Sequence, residues 1–212
     1  MVRQRIEPGP GQESVWDYPR PPRVEDSTKR VRVIFNGVTI ADSERAKRVL
    51  ETSHPPTYYI PEEDVKMEYL APTRRRTWCE WKGRARYYAV AVGGRTSQEA
   101  AWAYPEPARG YEGIQGHLAF YAQAMDVCYV GDEQVQAQPG GFYGGWITQD
   151  IVGPFKGGPG TMGWWRKTGP PRDGTWRSDP TSTDVSTIRM GVPHCENGKP
   201  DDATVAWKGR SR

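Results

Sequence analysis

Long apolar runs are missing from this sequence. No stretch approaches the roughly 20 residues that a membrane-spanning helix needs. The opening MVRQRIEPGPGQES has no apolar segment of the kind a secretory signal carries. Cysteine is scarce: Cys79, Cys128 and Cys195 are the only three in 212 residues. They are too few and too scattered for a disulfide framework or a four-thiolate zinc site. The expectation is a cytoplasmic, reduced protein with no metal or cofactor. A basic stripe is missing too. The net charge is +3; residues 1–165 balance 20 Lys and Arg against 20 Asp and Glu, so the excess lies in 166–212. A nucleic-acid binder shows clustered cations on its folded body, and here only Arg74-Arg75-Arg76 cluster. Neither nucleic acid nor membrane is expected as a partner.

Turn-forming residues and aromatics are abundant instead. The chain holds 24 Gly, 19 Pro, 9 Trp and 11 Tyr. Glycine and proline make up about a fifth of the residues, against roughly 12% on average, which excludes a helical bundle or coiled coil. Residues 1–13 and 166–212 are polar, with little to bury, and are expected to be flexible. The folded part is expected at 14–165, as one small, mostly β domain clasped by proline-, glycine- and aromatic-rich arms. In the first arm, Trp16 and Tyr18 stand among prolines as anchors.

Two turns set the strands. In VRVIFNGVTIA (31–41), Asn36-Gly37 suits a type I′ turn and places Phe35 opposite Val38 and Val33 opposite Ile40. In 77–104, a Gly93-Gly94 turn places Tyr87 opposite Ala100, Trp102 opposite Ala85 and Tyr104 opposite Gly83. The other face, with Arg84, Arg86, Tyr88 and Glu99, reads as solvated. The spacing predicts strands at 31–35, 38–41, 84–92 and 97–103, shorter ones near 118–121 and 127–130, and little helix beyond single turns. Residues 43–50 permit a short helix or a strand, 61–65 a helical turn and 67–70 a strand. The glycine-rich 138–165 reads as an ordered wrap whose Phe142, Tyr143, Trp146 and Phe155 plug into the body.

Several blocks, taken in order, resemble a known family: WDYPRPP (16–22), SHPPTYYIPEEDV (53–65), TWCEWKGRARYY (77–88), AAWAYPEP (100–107), HLAFY (117–121) and PGGFYGGWIT (139–148) followed by GPFKGGPGT (153–161). The chain is identified by them as a member of the domain of unknown function family 427, which also carries a nucleotidyltransferase-like label. The resemblance covers roughly residues 14–165. It departs at Glu80, where the family has proline between the cysteine and the Tyr/Trp-Lys-Gly. It implies bent antiparallel sheets, similar to the tent-like fold of some zinc-binding and methionine-sulfoxide-reducing domains. Those relatives often hold zinc through paired CxxC motifs. This chain has none, so zinc does not carry over.

The candidate chemistry sits in these blocks. Cys79 precedes Lys82 by three residues, and a nearby ammonium favours a reactive thiolate; alternatively Cys79 is a small core residue. Lys82-Gly83 offers an anion a point charge beside an open backbone, or is merely a strand entry. Tyr59, Tyr87, Trp102 and Tyr104 wall an aromatic pocket, or form a plain core. His54 and His117 are acid–base candidates or structural. There is no GxxxxGK[ST] phosphate loop, and the only acidic cluster, Glu62-Glu63-Asp64, fits a helical turn. The leading expectation is a small-molecule ligand held by Tyr59, Tyr87, Trp102 and Tyr104 as binding groups and, where it is also converted, acted on by Cys79, Lys82 and His54 as catalytic groups. A thiol- or nucleotide-using transferase and a protein interaction module are the alternatives.

Overall fold

The computed structural model describes residues 5–158. Expectations for 159–212, the flexible tail among them, fall outside the described residues. The strands are β1 (Glu13–Ser14), β2 (Arg23–Asp26), β3 (Val31–Phe35), β4 (Val38–Ser43), β5 (Lys47–Leu50), β6 (Thr57–Pro61), β7 (Leu70–Cys79) and β8 (Gly83–Val92). They continue with β9 (Arg95–Ala103), β10 (His117–Phe120), β11 (Val127–Val130), β12 (Glu133–Gln134), β13 (Gln136–Ala137), β14 (Trp146–Ile147) and β15 (Ile151–Val152). Helix is limited to four short 3-10 turns among the described residues, and no helix there is long and apolar enough to cross a membrane. The fold is small and mostly β; its two larger sheets are antiparallel throughout, and β1 and β15 pair in parallel. One sheet has the order β2-β5-β6-β10-β9-β8-β7 and another the order β12-β11-β3-β4; β1 pairs with β15 and β13 with β14.

The two tight turns carry the backbone that their sequences call for. Asn36 and Gly37 have φ of 48° and 72°, and Gly93 and Gly94 have 55° and 82°. These are the left-handed pairs of a type I′ hairpin. The registers beyond the turns differ from simple extension. Val33 faces Ala41, not Ile40. Past Val90 opposite Ser97 the β8–β9 register shifts, so that Tyr87 faces Trp102 and not Ala100, and Trp102 no longer faces Ala85. Glu99, with φ 52°, lies in the irregular stretch. Extra residues of this kind are β-bulges, which tertiary packing places. Residues 67–69 form a 3-10 turn where a strand was expected, and the strand of 70–79 follows it; 47–50 is the strand of the two options.

Alternate residues of the seven-stranded sheet enter two different cores. Tyr58, Ile60, Tyr88, Val90, Ala101, Ala103, Leu118 and Phe120 pack with Val31, Val33 and Phe35 of the four-stranded sheet. Their neighbours Tyr59, Ala85, Tyr87, Trp102 and Ala119 pack on the opposite face with Tyr104, Tyr111 and Ile114. The face expected to be wet is solvated at Arg84 and Arg86 and half-exposed at Glu99, which pairs with Arg75, but Tyr88 is buried. Strands covered on both sides lose strict apolar–polar alternation.

The arms are built in. Residues 5–13, expected to be flexible, run beside 150–153: the amide of Ile6 donates to the Gly153 carbonyl (3.3 Å) and that of Glu13 to the Asp150 carbonyl (2.7 Å). Val15, Tyr18, Leu50 and Ile151 form a third buried cluster. Composition missed this because the partners lie far along the chain. Of the rings expected to plug the glycine-rich wrap, Trp146 is buried and donates through Nε1 to the Phe120 carbonyl at 2.9 Å. Phe142 does not plug in; it is 62% exposed.

Candidate functional site

The second core cluster forms the floor of a cavity of about 450 Å³. All seven candidate side chains, His54, Tyr59, Cys79, Lys82, Tyr87, Trp102 and Tyr104, line it. They arrive from four segments: the approach to β6, β6 itself, the β7–β8 connection with β8, and the end of β9. Cys79 closes the β7–β8 ladder opposite Gly83, whose φ of 92° turns the chain there. The Ala108 amide, donating to the Lys82 carbonyl at 3.1 Å, pins that turn.

The rings interlock. Trp102 Nε1 donates to the Tyr59 hydroxyl at 3.3 Å, with the rings edge-on and 6.3 Å apart. Tyr104 lies 6.4 Å from Tyr59, and Tyr121 lies 4.5 Å from Trp102. The Tyr87 hydroxyl is 3.0 Å from Thr77 Oγ1. Burial pushes the phenols of Tyr59 and Tyr104 above their ordinary pKa, so both stay neutral donors.

His54 is buried, and its Nδ1 lies 3.0 Å from the Thr52 carbonyl. A carbonyl only accepts, so Nδ1 carries the hydrogen and Nε2 the lone pair. Burial first, then the positive charges of Lys156 and Lys82, push its pKa down to about 4 despite Glu51. Ser53, with φ 68°, turns the chain into it; its amide donates to the Val15 carbonyl at 2.9 Å. His117 stands apart, at the start of β10 with Nδ1 2.8 Å from the Gln115 carbonyl, and does not line the cavity.

Lys82 is half-buried, with its Nζ 5.8 Å from the centroid of Tyr104. Burial works against its charge, but Tyr59, Cys79 and Glu51 favour it, and the balance holds its pKa above the ordinary lysine value. Among the described residues its ammonium makes no ion pair and no hydrogen bond. Cys79 is free and half-buried.

Sequence reasoning missed the charged rim. Arg20, from the proline-rich arm, donates to Glu51 (2.9 Å) and to Glu80 (2.7 Å) and stacks 5.6 Å from the Trp81 ring. Lys156 reaches the cavity from the glycine-rich wrap, 5.2 Å from the Tyr143 ring. Gln138, buried, accepts from the Gly145 amide (3.2 Å) and donates to the Lys156 carbonyl (2.8 Å), tying the two ends of that wrap. None of these residues stands in a repeating pattern. Arg20, Glu80, Trp81 and Lys156 fall in the quoted blocks, Glu80 as the departure that supplies Arg20 with a partner, whereas Glu51 and Gln138 fall outside them. The acidic cluster is spent elsewhere: Asp64 holds Arg45 and Ser43 at 2.6 Å each. Among the described residues no group of three His, Cys, Asp or Glu side chains could hold a metal ion.

What fold and site define together is a small antiparallel β domain with an aromatic cavity on one face of its larger sheet. The chain belongs to the family described as Domain of unknown function (DUF427), whose model matches residues 23–131. All seven candidate residues fall inside that span, whereas Arg20 and the 138–156 wall fall outside it. No curated protein matches the chain.

Proposed function

We propose that this domain binds a small organic molecule in the aromatic cavity, with Tyr59, Tyr87, Trp102 and Tyr104 as walls and Lys82 as counter-charge. One observation carries the reading: the Lys82 ammonium, in a half-buried aromatic surround 5.8 Å from the centroid of the Tyr104 ring, makes no ion pair and no hydrogen bond among the described residues. A ligand anion in the cavity supplies the direct, charge-assisted hydrogen bond that this ammonium lacks. Conversion of the ligand would rest on Cys79 as nucleophile, with Lys82 as an electrostatic group, since it stays protonated. A neutral His54 with Nε2 open suits accepting a ligand hydrogen bond better than carrying protons near neutral pH. Nucleotidyl transfer calls for carboxylates gathered around magnesium, and the two carboxylates here, Glu51 and Glu80, both engage Arg20.

An interaction module is the second reading. Trp78 and Phe142, at 75% and 62% exposure, are large apolar side chains left open, and both line the same cavity. Native mass spectrometry of the protein taken from its natural host tests the two. A bound mass of metabolite size, lost in Trp102→Ala, is the expected result. Ligand-free protein, together with a co-purifying protein lost on Trp78→Ala, would replace the first reading by the second.

A further inference from the structure

We propose that the ligand is a monoanionic aromatic acid, a flat ring bearing one carboxylate, with Lys82 and the Tyr59 hydroxyl receiving the carboxylate. This inference rests on the binding reading above and narrows it to a chemical class.

Charge sets the first limit. The cavity is lined by three cations, Arg20, Lys82 and Lys156, and by two carboxylates, Glu51 and Glu80, leaving one net positive charge. His54 adds none, being neutral at pH 7. Arg20 already spans both carboxylates, at 2.9 and 2.7 Å. Burial and the nearby Arg20 hold the Lys156 pKa below the ordinary lysine value, although Glu51 and Glu80 favour its charge. The Lys82 ammonium makes no ion pair and no hydrogen bond among the described residues and lies 5.8 Å from the centroid of the Tyr104 ring. One negative charge neutralises such a site. A nucleoside triphosphate brings several and would set the excess against Glu51 and Glu80, and like charges repel.

Donor geometry sets the second. Tyr59 accepts from Trp102 Nε1, which leaves its own O–H without an acceptor among the described residues. Its phenol is buried and neutral, so it remains a donor, and it and Lys82 flank the Tyr104 ring on the same cavity wall, the Tyr59 ring 6.4 Å and the Lys82 Nζ 5.8 Å from that ring's centroid. An ammonium beside a phenolic O–H matches the two oxygens of a carboxylate. The remaining walls, Tyr87, Trp102, Tyr104 and Tyr121, are aromatic, and rings of this kind favour a flat ring in edge or offset contact.

The test is calorimetric titration of the full chain with matched pairs at fixed ionic strength: benzoate against benzamide, indole-3-carboxylate against its amide, and ATP. A charge-assisted hydrogen bond predicts a preference of about tenfold or more for each acid over its amide. Lys82→Met should erase that preference by weakening each acid far more than its amide, and Lys82→Arg should restore part of it. Circular dichroism confirms that each variant is folded. Equal binding of acid and amide, or a preference that survives Lys82→Met, overturns the proposal while leaving an aromatic-binding cavity. ATP binding more tightly than either acid overturns it in favour of nucleotides. No binding by any acid, amide or ATP overturns both the proposal and the reading beneath it.

Discussion

Gly144 lies against the Trp102 indole so closely that a Cβ on it would stand 2.0 Å from Cη2 and 2.8 Å from Cζ3. No alternative rotamer of an alanine relieves this, because the Cβ position is fixed by the backbone. Either the indole leaves its place over Tyr59 or the 138–145 loop lifts. Gly144→Ala should therefore cost about 1–3 kcal/mol, the usual penalty of overpacking. Gly113→Ala is the control: a Cβ there meets only Val24 at 3.6 Å, an ordinary contact. Urea unfolding of both variants checks this, and equal midpoints would refute the clash.

Acid should destabilise the protein through His54 before it does so through the carboxylates. The folded pKa of about 4 lies below the ordinary 6.5. Between those values the unfolded chain binds a proton that the folded one refuses, so stability falls as pH drops from 6.5 to 4. The full loss from this one residue is about 3 kcal/mol. Asp42, Asp64, Asp126 and Asp150 are held below the usual aspartate value by their partners. Their share is lost only at lower pH. His54→Gln should flatten the profile between pH 6.5 and 4 and leave the steeper acid limb. A slope unchanged by that substitution would remove His54 as its source.

The two described cysteines should behave oppositely. Burial pushes the Cys128 thiol pKa far up, and its side chain packs in the core between the sheets. Cys79 is half-buried on the cavity wall. Iodoacetamide should label Cys79 first, as read by peptide mass spectrometry, and a bound ligand should protect it. Cys79→Ser should change stability by no more than about 0.5 kcal/mol. Cys128→Ser should cost about 1–3 kcal/mol, because a hydroxyl there has no partner. Slow labelling of Cys79 joined to a large loss of stability in Cys79→Ser would make it a core residue.

The parts of the fold readable from sequence were those governed by neighbours in the chain. Asn36-Gly37 and Gly93-Gly94 specify their turns by φ alone, so the hairpins followed. The registers did not, because the shifts near Ile40 and Glu99 answer to packing from other strands. The cavity residues were legible where a ring, a thiol or a lysine stood in a distinctive block: Tyr59, Cys79, Lys82, Tyr87, Trp102 and Tyr104. Arg20, Glu51 and Lys156 were not, since a single charge in a proline- or glycine-rich stretch gives no sign of what it will meet. Phe142 shows the converse error, an aromatic ring taken for an anchor and left mostly in solvent.

The larger sheet writes two messages on one set of strands. Residues 58, 60, 88, 90, 101 and 103 face the core that holds the sheets together, and residues 59, 87 and 102 between them face the cavity. Substitution at the second set can change what the cavity accepts while the first set goes on holding the fold. Insertion or deletion of one residue in β6, β8 or β9 is different, because it exchanges the two sets along the rest of the strand. Across the descendants of such a chain, the shape of the cavity is therefore free to drift by point substitution, while the lengths of these three strands are held fixed.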